Sequence, residues 1–159
     1  MINLIKNIFS SSTKLKTSSN NIIDYIINDP YTPNLSIKLD VPMDINLPKF
    51  AVVGWNGNNL ISDKQTQAAQ VYACMYFTNE MVRKYLKTPF QKWAAVETLV
   101  ANPRAGIDFN AYYDRTSLKF FYAKHPTTQK MIFTCMSPNI VAHEHGHAIL
   151  DALRPDLWH

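Results

Sequence analysis

The residues His143-Glu144-His145-Gly146-His147 have the types and spacing of a metal-dependent hydrolase motif. On a helix with ~100° per residue, His143 and His147 lie about 40° apart around the axis, one turn from each other. Two imidazoles on one face can bind one zinc ion, and the adjacent carboxylate of Glu144 can take a proton from a water that the ion activates. His145 points about 200° away from His143 and is not a predicted ligand.

The residues around the motif favour a metal site over the alternative, an ordinary helix that happens to carry three histidines. A helix is predicted to begin at Pro138 and to run to about Leu153, so the motif lies on the element that its chemistry requires. Asp151 follows His147 by one turn, where it could orient an imidazole from behind, although a solvated Asp is an equal alternative. Gly146 costs about 1 kcal/mol against Ala in a helix interior, which predicts close packing beside it.

The rest of the sequence predicts the elements that hold this helix. A long helix begins at Asp63, its predicted N-cap, continues to Leu86 and is closed by Pro89. Alternating or apolar runs predict strands at residues 35–41, 50–53, 94–100, 109–113, 118–122 and 131–135. This order predicts an α+β domain with a mixed or antiparallel sheet, a long helix and a C-terminal HExxH helix.

Length and composition limit the classes of protein. The chain has 159 residues, 47% hydrophobic and 18% charged, which fits one domain with a buried core. The net charge of +4 is spread along the sequence, so a nucleic-acid partner is not expected. No run reaches the ~20 apolar residues of a membrane span, and the first residues lack the order of a secretory signal, so a cytoplasmic protein is expected. Residues 1–34 are predicted to be flexible or partly ordered.

The same helix and one upstream segment resemble a known family. The helix reads Ile140-Val141-Ala142-His143-Glu144-x-x-His147-Ala148-x-x-Asp151, and the segment Asn110-Ala111-Tyr112-Tyr113 begins 33 residues before His143. Together they resemble the metal helix and the edge strand of the thermolysin-like gluzincin zinc metallopeptidases. The similarity covers about residues 63–155, and residues 134–158 look closest to an uncharacterised bacterial gluzincin-type group. Residues 35–159 would then be a zincin-like N-terminal lobe.

The resemblance implies a function for each matching residue. His143 and His147 would bind zinc, and Glu144 would be the general base for hydrolysis of a peptide or protein substrate. Asn110 and Ala111 would contact the substrate backbone by strand addition. From the sequence alone, an Asn at the start of a strand is more often a turn or capping residue.

The family's third zinc ligand is a Glu about twenty residues after the second His, whereas this sequence continues for only twelve residues after His147. We therefore expect the C-terminal lobe to be absent, which leaves a truncated or incomplete peptidase. The alternative is a catalytically inactive gluzincin-like domain that binds peptides. Other donors for a third ligand are His159, Asp114, His125 and Cys135, the last of which would resemble peptide deformylases. Cys74, in the long helix, is predicted to be a buried thiol.

Overall fold

The computed structural model describes residues 20–26, 36–42, 48–55, 63–86 and 90–158. Within these ranges the chain forms two α-helices, α1 (Asp63–Tyr85) and α2 (Pro138–Leu153), and two short 3-10 turns at Thr134–Met136 and Pro155–Leu157. The strands are β1 (Asn20–Ile26), β2 (Ser36–Pro42), β3 (Phe50–Val52), β4 (Leu99–Asn102), β5 (Ala111–Tyr113), β6 (Ser117–Phe120), β7 (Tyr122–Lys124) and β8 (Met131–Phe133). The predicted α+β class is confirmed.

The central sheet is mixed. Its order is β3-β4-β6-β5, with β3, β4 and β6 parallel and β5 antiparallel to β6. Two antiparallel pairs, β1 with β2 and β7 with β8, complete the strands of the described ranges. Strand β5 therefore lies at an edge of the central sheet, and α2 packs against it.

The core lies between the two helices and one face of the central sheet. Strands β3 and β4 alternate buried and outward-facing residues, so that Phe50, Val52 and Leu99 point inward, as expected for strands with one buried face. From α1, Val71 and Met75 are fully buried against them. The Cys74 thiol, buried as predicted, donates to the Pro138 carbonyl over 3.3 Å and so links α1 to the start of α2. Burial of each such side chain stabilises the fold by about 1.5–3 kcal/mol.

The strand predicted over residues 94–100 is wrong for its first half. Residues 94–98 form bends, and β4 begins only at Leu99. The indole N–H of the buried Trp93 donates to the carbonyl of Lys49, and the same carbonyl accepts from the Leu99 amide. This carbonyl therefore anchors both ends of the bent segment, and regular pairing with β3 starts only after it.

The run predicted as one strand at 118–122 is divided at Phe121. The Phe121 amide donates to the Thr134 hydroxyl over 2.9 Å and to the Asn110 carbonyl over 3.2 Å, while its own carbonyl accepts from the Thr134 amide over 3.0 Å. These bonds end β6 and start β7, which pairs with β8 instead. Thr134 also begins a 3-10 turn, so the strand predicted to Cys135 ends at Phe133.

Several predictions fall partly or wholly outside the described residues. These concern residues 1–19 and 27–34, Pro89 and His159. Within the segment predicted as flexible or partly ordered, β1 is paired with β2, and its Ile23 and Tyr25 are buried. Neither helix of the described ranges is long and apolar enough to cross a lipid bilayer.

Candidate metal centre

Helix α2 presents two contrasting faces because apolar residues recur along one side of it. Pro138 occupies the first turn, where its missing N–H costs no hydrogen bond. Val141, Ala148 and Ile149 are buried against the core. His143 lies on the other side and is exposed. The sequence thus fixes which way the motif faces: its first histidine points to solvent and its middle one to the core.

The two predicted ligands meet on this outer face. The imidazoles of His143 and His147 have centroids 4.6 Å apart and planes at 86°, and their Nε2 atoms are separated by 3.1 Å. In this state one Nε2 donates to the other. The i and i+4 spacing on a regular helix produces this approach without any distortion of the backbone.

The pair has the dimensions of half a zinc site. Two nitrogens at 2.0–2.1 Å from a tetrahedral zinc ion lie about 3.4 Å apart, and a separation of 3.1 Å corresponds to an N–Zn–N angle of about 100°. The separation of the Nε2 atoms therefore needs to change by only ~0.3 Å to bind an ion. Within the described ranges, however, no group of three or more His, Cys, Asp or Glu residues surrounds a common point.

Glu144 is half-buried next to this pair on the helix surface, about 60° around the axis from His147. Among the described residues it forms no hydrogen bond and no ion pair, so its carboxylate is available as a proton acceptor. Gly146 lies on the other side of the pair. A Cβ added there would meet nothing within 4 Å, so the close packing predicted from this glycine is wrong.

His145 is fully buried, on the side of α2 away from the exposed His143. Its ring packs against Trp93 and Phe50, with centroids 5.5 Å and 6.1 Å away. Within the described part of the chain neither ring nitrogen has a hydrogen-bond partner. Burial among aromatic rings lowers the pKa of His145 to about 3, so the imidazole is neutral at ordinary pH.

Asp151 is also fully buried, but its partners differ from the predicted imidazole. Its two oxygens accept from Arg115 Nε over 3.1 Å and from the terminal nitrogen of the same guanidinium over 3.0 Å, a bidentate pair. The Tyr113 hydroxyl lies 2.9 Å from one Asp151 oxygen and 3.1 Å from the Arg115 carbonyl, so its single proton is shared between two acceptors. Neither motif imidazole is among the hydrogen-bond partners of Asp151 in the described ranges. It joins α2 to the turn after β5.

Tyr113 reaches Asp151 from the end of β5, and Arg115 reaches it from the turn that links β5 to β6. Arg115 has a positive φ of 71°, an uncommon conformation for a residue with a side chain, and its fork to Asp151 stabilises it. Burial and the hydrogen bond to Asp151 both raise the pKa of Tyr113, so its hydroxyl keeps its proton. No pattern in the sequence predicts the role of Arg115, because a lone Arg in a turn gives no sign of a buried partner 36 residues away.

Asn110 immediately precedes the edge strand β5, and Ala111 is its first residue. The Asn110 side-chain oxygen accepts from the Ala111 amide over 2.9 Å, which is the local capping role that its position alone predicts. The Asn110 carbonyl accepts from Phe121 and Thr134, which fixes the start of β5. The Asp114 amide donates to the Ser117 carbonyl across the β5–β6 pair. Because hydrogen-bonded and non-hydrogen-bonded residues alternate along an antiparallel pair, the backbone groups of Ala111 and Tyr113 point away from β6.

Three of the four alternative metal donors lie in the described ranges, and each is occupied or buried. Cys135 is fully buried in the core, and burial raises its pKa to about 12, so the thiolate that a deformylase-like site needs is disfavoured. The Asp114 carboxylate accepts from Thr116, Ser117 and Lys119. His125 accepts the amides of Thr127 and Thr128 at its Nδ1, at the tip of the β7–β8 hairpin. His159 is outside the described residues.

Comparison of the chain with known proteins finds no match: no family model, no curated protein and no solved structure is similar to it at a significant level. What the site can do must therefore be inferred from its own residues and from the motifs that they form.

Proposed function

We propose that this chain is the metal-binding lobe of a zinc-dependent metallopeptidase of gluzincin type, with His143 and His147 as zinc ligands. The observation that carries the proposal is the 3.1 Å separation of the two Nε2 atoms on the exposed face of α2. Zinc bound there would polarise the carbonyl of a peptide bond and lower the pKa of a coordinated water to about 7. The histidine types, their spacing and their geometry all support the same role.

Glu144 is proposed as the general base. It is the neighbour of the imidazole pair on α2, it is half-buried, and among the described residues it has no cation or hydrogen-bond donor to hold it elsewhere. A carboxylate in this position can take the proton of the attacking water and pass it to the leaving amine. A substrate backbone added along β5 would run beside α2, because the strand and the helix pack together.

A catalytic zinc site needs three protein ligands and one open position. The described residues supply two, so the proposal requires a third donor from outside the described ranges or from a partner such as the C-terminal lobe that the resemblance implies. We therefore expect the zinc affinity of this chain to be weaker than that of a complete three-ligand site, with activity limited by the same deficit.

The metal proposal is tested by zinc titration of the purified chain with isothermal calorimetry and elemental analysis. We expect one zinc per chain, lost in His143→Ala and in His147→Ala. His125→Ala is the matched control, because this imidazole lies on a hairpin tip away from α2, and it should retain the metal. Retention of stoichiometric zinc after both motif substitutions would overturn the assignment of the ligands.

The catalytic proposal has a separate test. Glu144→Gln should keep the zinc and abolish hydrolysis of a quenched fluorescent peptide library, since the amide cannot accept the proton. If unsubstituted, zinc-loaded protein hydrolyses peptides and Glu144→Gln does so equally well, Glu144 is not the base.

A second candidate function is peptide binding without catalysis. It is favoured by the place of β5 at the sheet edge, where the outward carbonyl of Ala111 and the outward backbone groups of Tyr113 are suited to strand addition, while the Ala111 amide is held by Asn110. This function predicts that extended peptides bind the zinc-free chain as well as the zinc-loaded chain, with no turnover in either. Binding that requires zinc and leads to cleavage would exclude it.

A further inference from the structure

Trp158 lies against one of the two proposed zinc ligands, although no pattern in the sequence assigned it a role. Its indole meets the His147 imidazole edge-on, with centroids 5.7 Å apart and planes at 76°. The same indole meets the Tyr113 ring at 5.3 Å, also at 76°. Trp158 is thus wedged between the metal face of α2 and the edge strand β5.

The sequence after α2 explains how the indole returns to the helix. The helix ends at Leu153, and the Arg154 amide still donates to the Leu150 carbonyl over 2.7 Å. Pro155 then starts a single 3-10 turn, in which the Trp158 amide donates to the Pro155 carbonyl over 3.4 Å. The turn reverses the chain, so that Trp158 is half-buried against α2, while the neighbouring Leu157 is 59% exposed.

The surface behind the indole is held firmly. Tyr113, on the far side of Trp158, bonds to the buried Asp151, which in turn pairs with the guanidinium of Arg115. Asp151 belongs to α2, one turn after His147, so the rings of Tyr113 and Trp158 are held in place relative to this helix. The aromatic neighbour of His147 is therefore itself fixed in place.

We propose that Trp158 is a positioning residue for the metal site: its indole restricts the His147 imidazole to the orientation in which Nε2 approaches His143. This inference rests on the proposed metal-binding function. A partly exposed imidazole otherwise rotates among several conformers and loses that freedom when an ion binds. With the ring already held, less conformational entropy is lost on binding, and metal affinity rises.

Metal affinity of Trp158 variants tests the inference. Ordering one side chain costs about 0.5–1.5 kcal/mol, so Trp158→Ala should weaken zinc binding roughly two- to tenfold. Trp158→Phe keeps an aromatic wall and should recover most of the affinity, whereas Leu157→Ala, the matched control in the same turn, should bind as the unsubstituted chain does. Circular dichroism verifies that each variant is folded.

A spectroscopic readout tests the placement independently of affinity. Cobalt(II) quenches the emission of an indole close to it, and we expect its binding to quench the fluorescence of the unsubstituted chain. Most of this quenching should disappear in Trp158→Phe, because the other two indoles lie elsewhere: Trp93 packs on His145 at the opposite side of α2, and Trp55 packs on Tyr72 of α1. The fluorescence experiment uses Trp158→Phe and therefore remains informative if Trp158→Ala fails to fold.

The possible failures are distinguishable. Equal zinc affinity in Trp158→Ala and the unsubstituted chain, or quenching that survives in Trp158→Phe, would overturn the positioning role while the histidine substitutions still abolish binding. If the unsubstituted chain binds no zinc and no cobalt, the proposed metal function fails first, and the role of Trp158 fails with it.

Discussion

At the scale of single residues, three histidines within five positions have different environments because the helix turns each of them toward a different neighbour. His143 is exposed and His147 is half-buried, and they face one another across 3.1 Å. His145 is enclosed by Trp93 and Phe50 and keeps a neutral ring. The residue type alone would permit metal binding by all three, and the helical geometry separates the two proposed ligands from one core residue.

This separation predicts opposite effects for two alanine substitutions. His143→Ala removes an exposed ring and should change the free energy of unfolding by less than about 0.5 kcal/mol while abolishing zinc binding. His145→Ala leaves a cavity between two aromatic rings and should cost about 2–4 kcal/mol, with zinc still bound by the folded fraction. Urea denaturation and zinc titration of both variants measure the contrast. A reversed pattern would mean that the two faces of α2 are wrongly assigned.

At the scale of elements, α2 and the β5–β6 turn determine how the site is presented. The turn depends on Asp114, whose carboxylate accepts from the amides of Thr116 and Ser117 and forms an ion pair with Lys119 over 2.9 Å. The helix contains Gly146, next to open space. Asp114 therefore stabilises the β5–β6 turn, whereas Gly146 is a position in α2 at which a substitution can increase stability.

Gly146→Ala should raise the free energy of unfolding by up to about 1 kcal/mol. Alanine restricts the unfolded chain and favours the helix, and its Cβ meets no atom within 4 Å. The thermal midpoint should rise, and zinc stoichiometry should stay the same. A loss of stability would show that a neighbour approaches this side of α2 more closely than the described residues do.

The turn should carry a pH dependence that Asp114→Asn removes. Burial raises the pKa of Asp114, but hydrogen bonds from Thr116, Lys119 and Ser117 outweigh it and hold that pKa well below its ordinary value. A carboxyl with a lowered pKa in the folded state stabilises the fold above about pH 4, its value in the unfolded chain, and this contribution is lost as the pH falls further.

Asp114→Asn keeps the acceptor oxygen and removes the charge. We expect it to be less stable than the unsubstituted chain at pH 7, and the difference to shrink as the pH falls below about 4. Denaturant unfolding at a series of pH values measures this. A difference that is constant from pH 7 to pH 3 would contradict the role of the charge.

At the scale of the whole molecule, the features that depend on local sequence patterns could be predicted. The features that depend on contacts between residues far apart in the sequence could not. The two helices and most strands follow from periodicity and from residues such as Pro138, because these signals act within a few positions. The break of β6 at Phe121 was missed, because it depends on Thr134, thirteen residues away. The histidine pair was predictable from its spacing. Its surroundings, Arg115 on Asp151 and Trp158 on His147, arise only when the sheet and helix come together.

The measurement that tests the metal site most directly is X-ray absorption at the zinc K-edge of the zinc-loaded chain. Two imidazoles that share one ion should give nitrogen scatterers at about 2.0–2.1 Å with the multiple scattering of two histidine rings. His147→Ala should reduce that signal to one ring or remove the metal. A first shell without imidazole scattering, in protein that retains its zinc, would contradict the assignment of His143 and His147 as ligands.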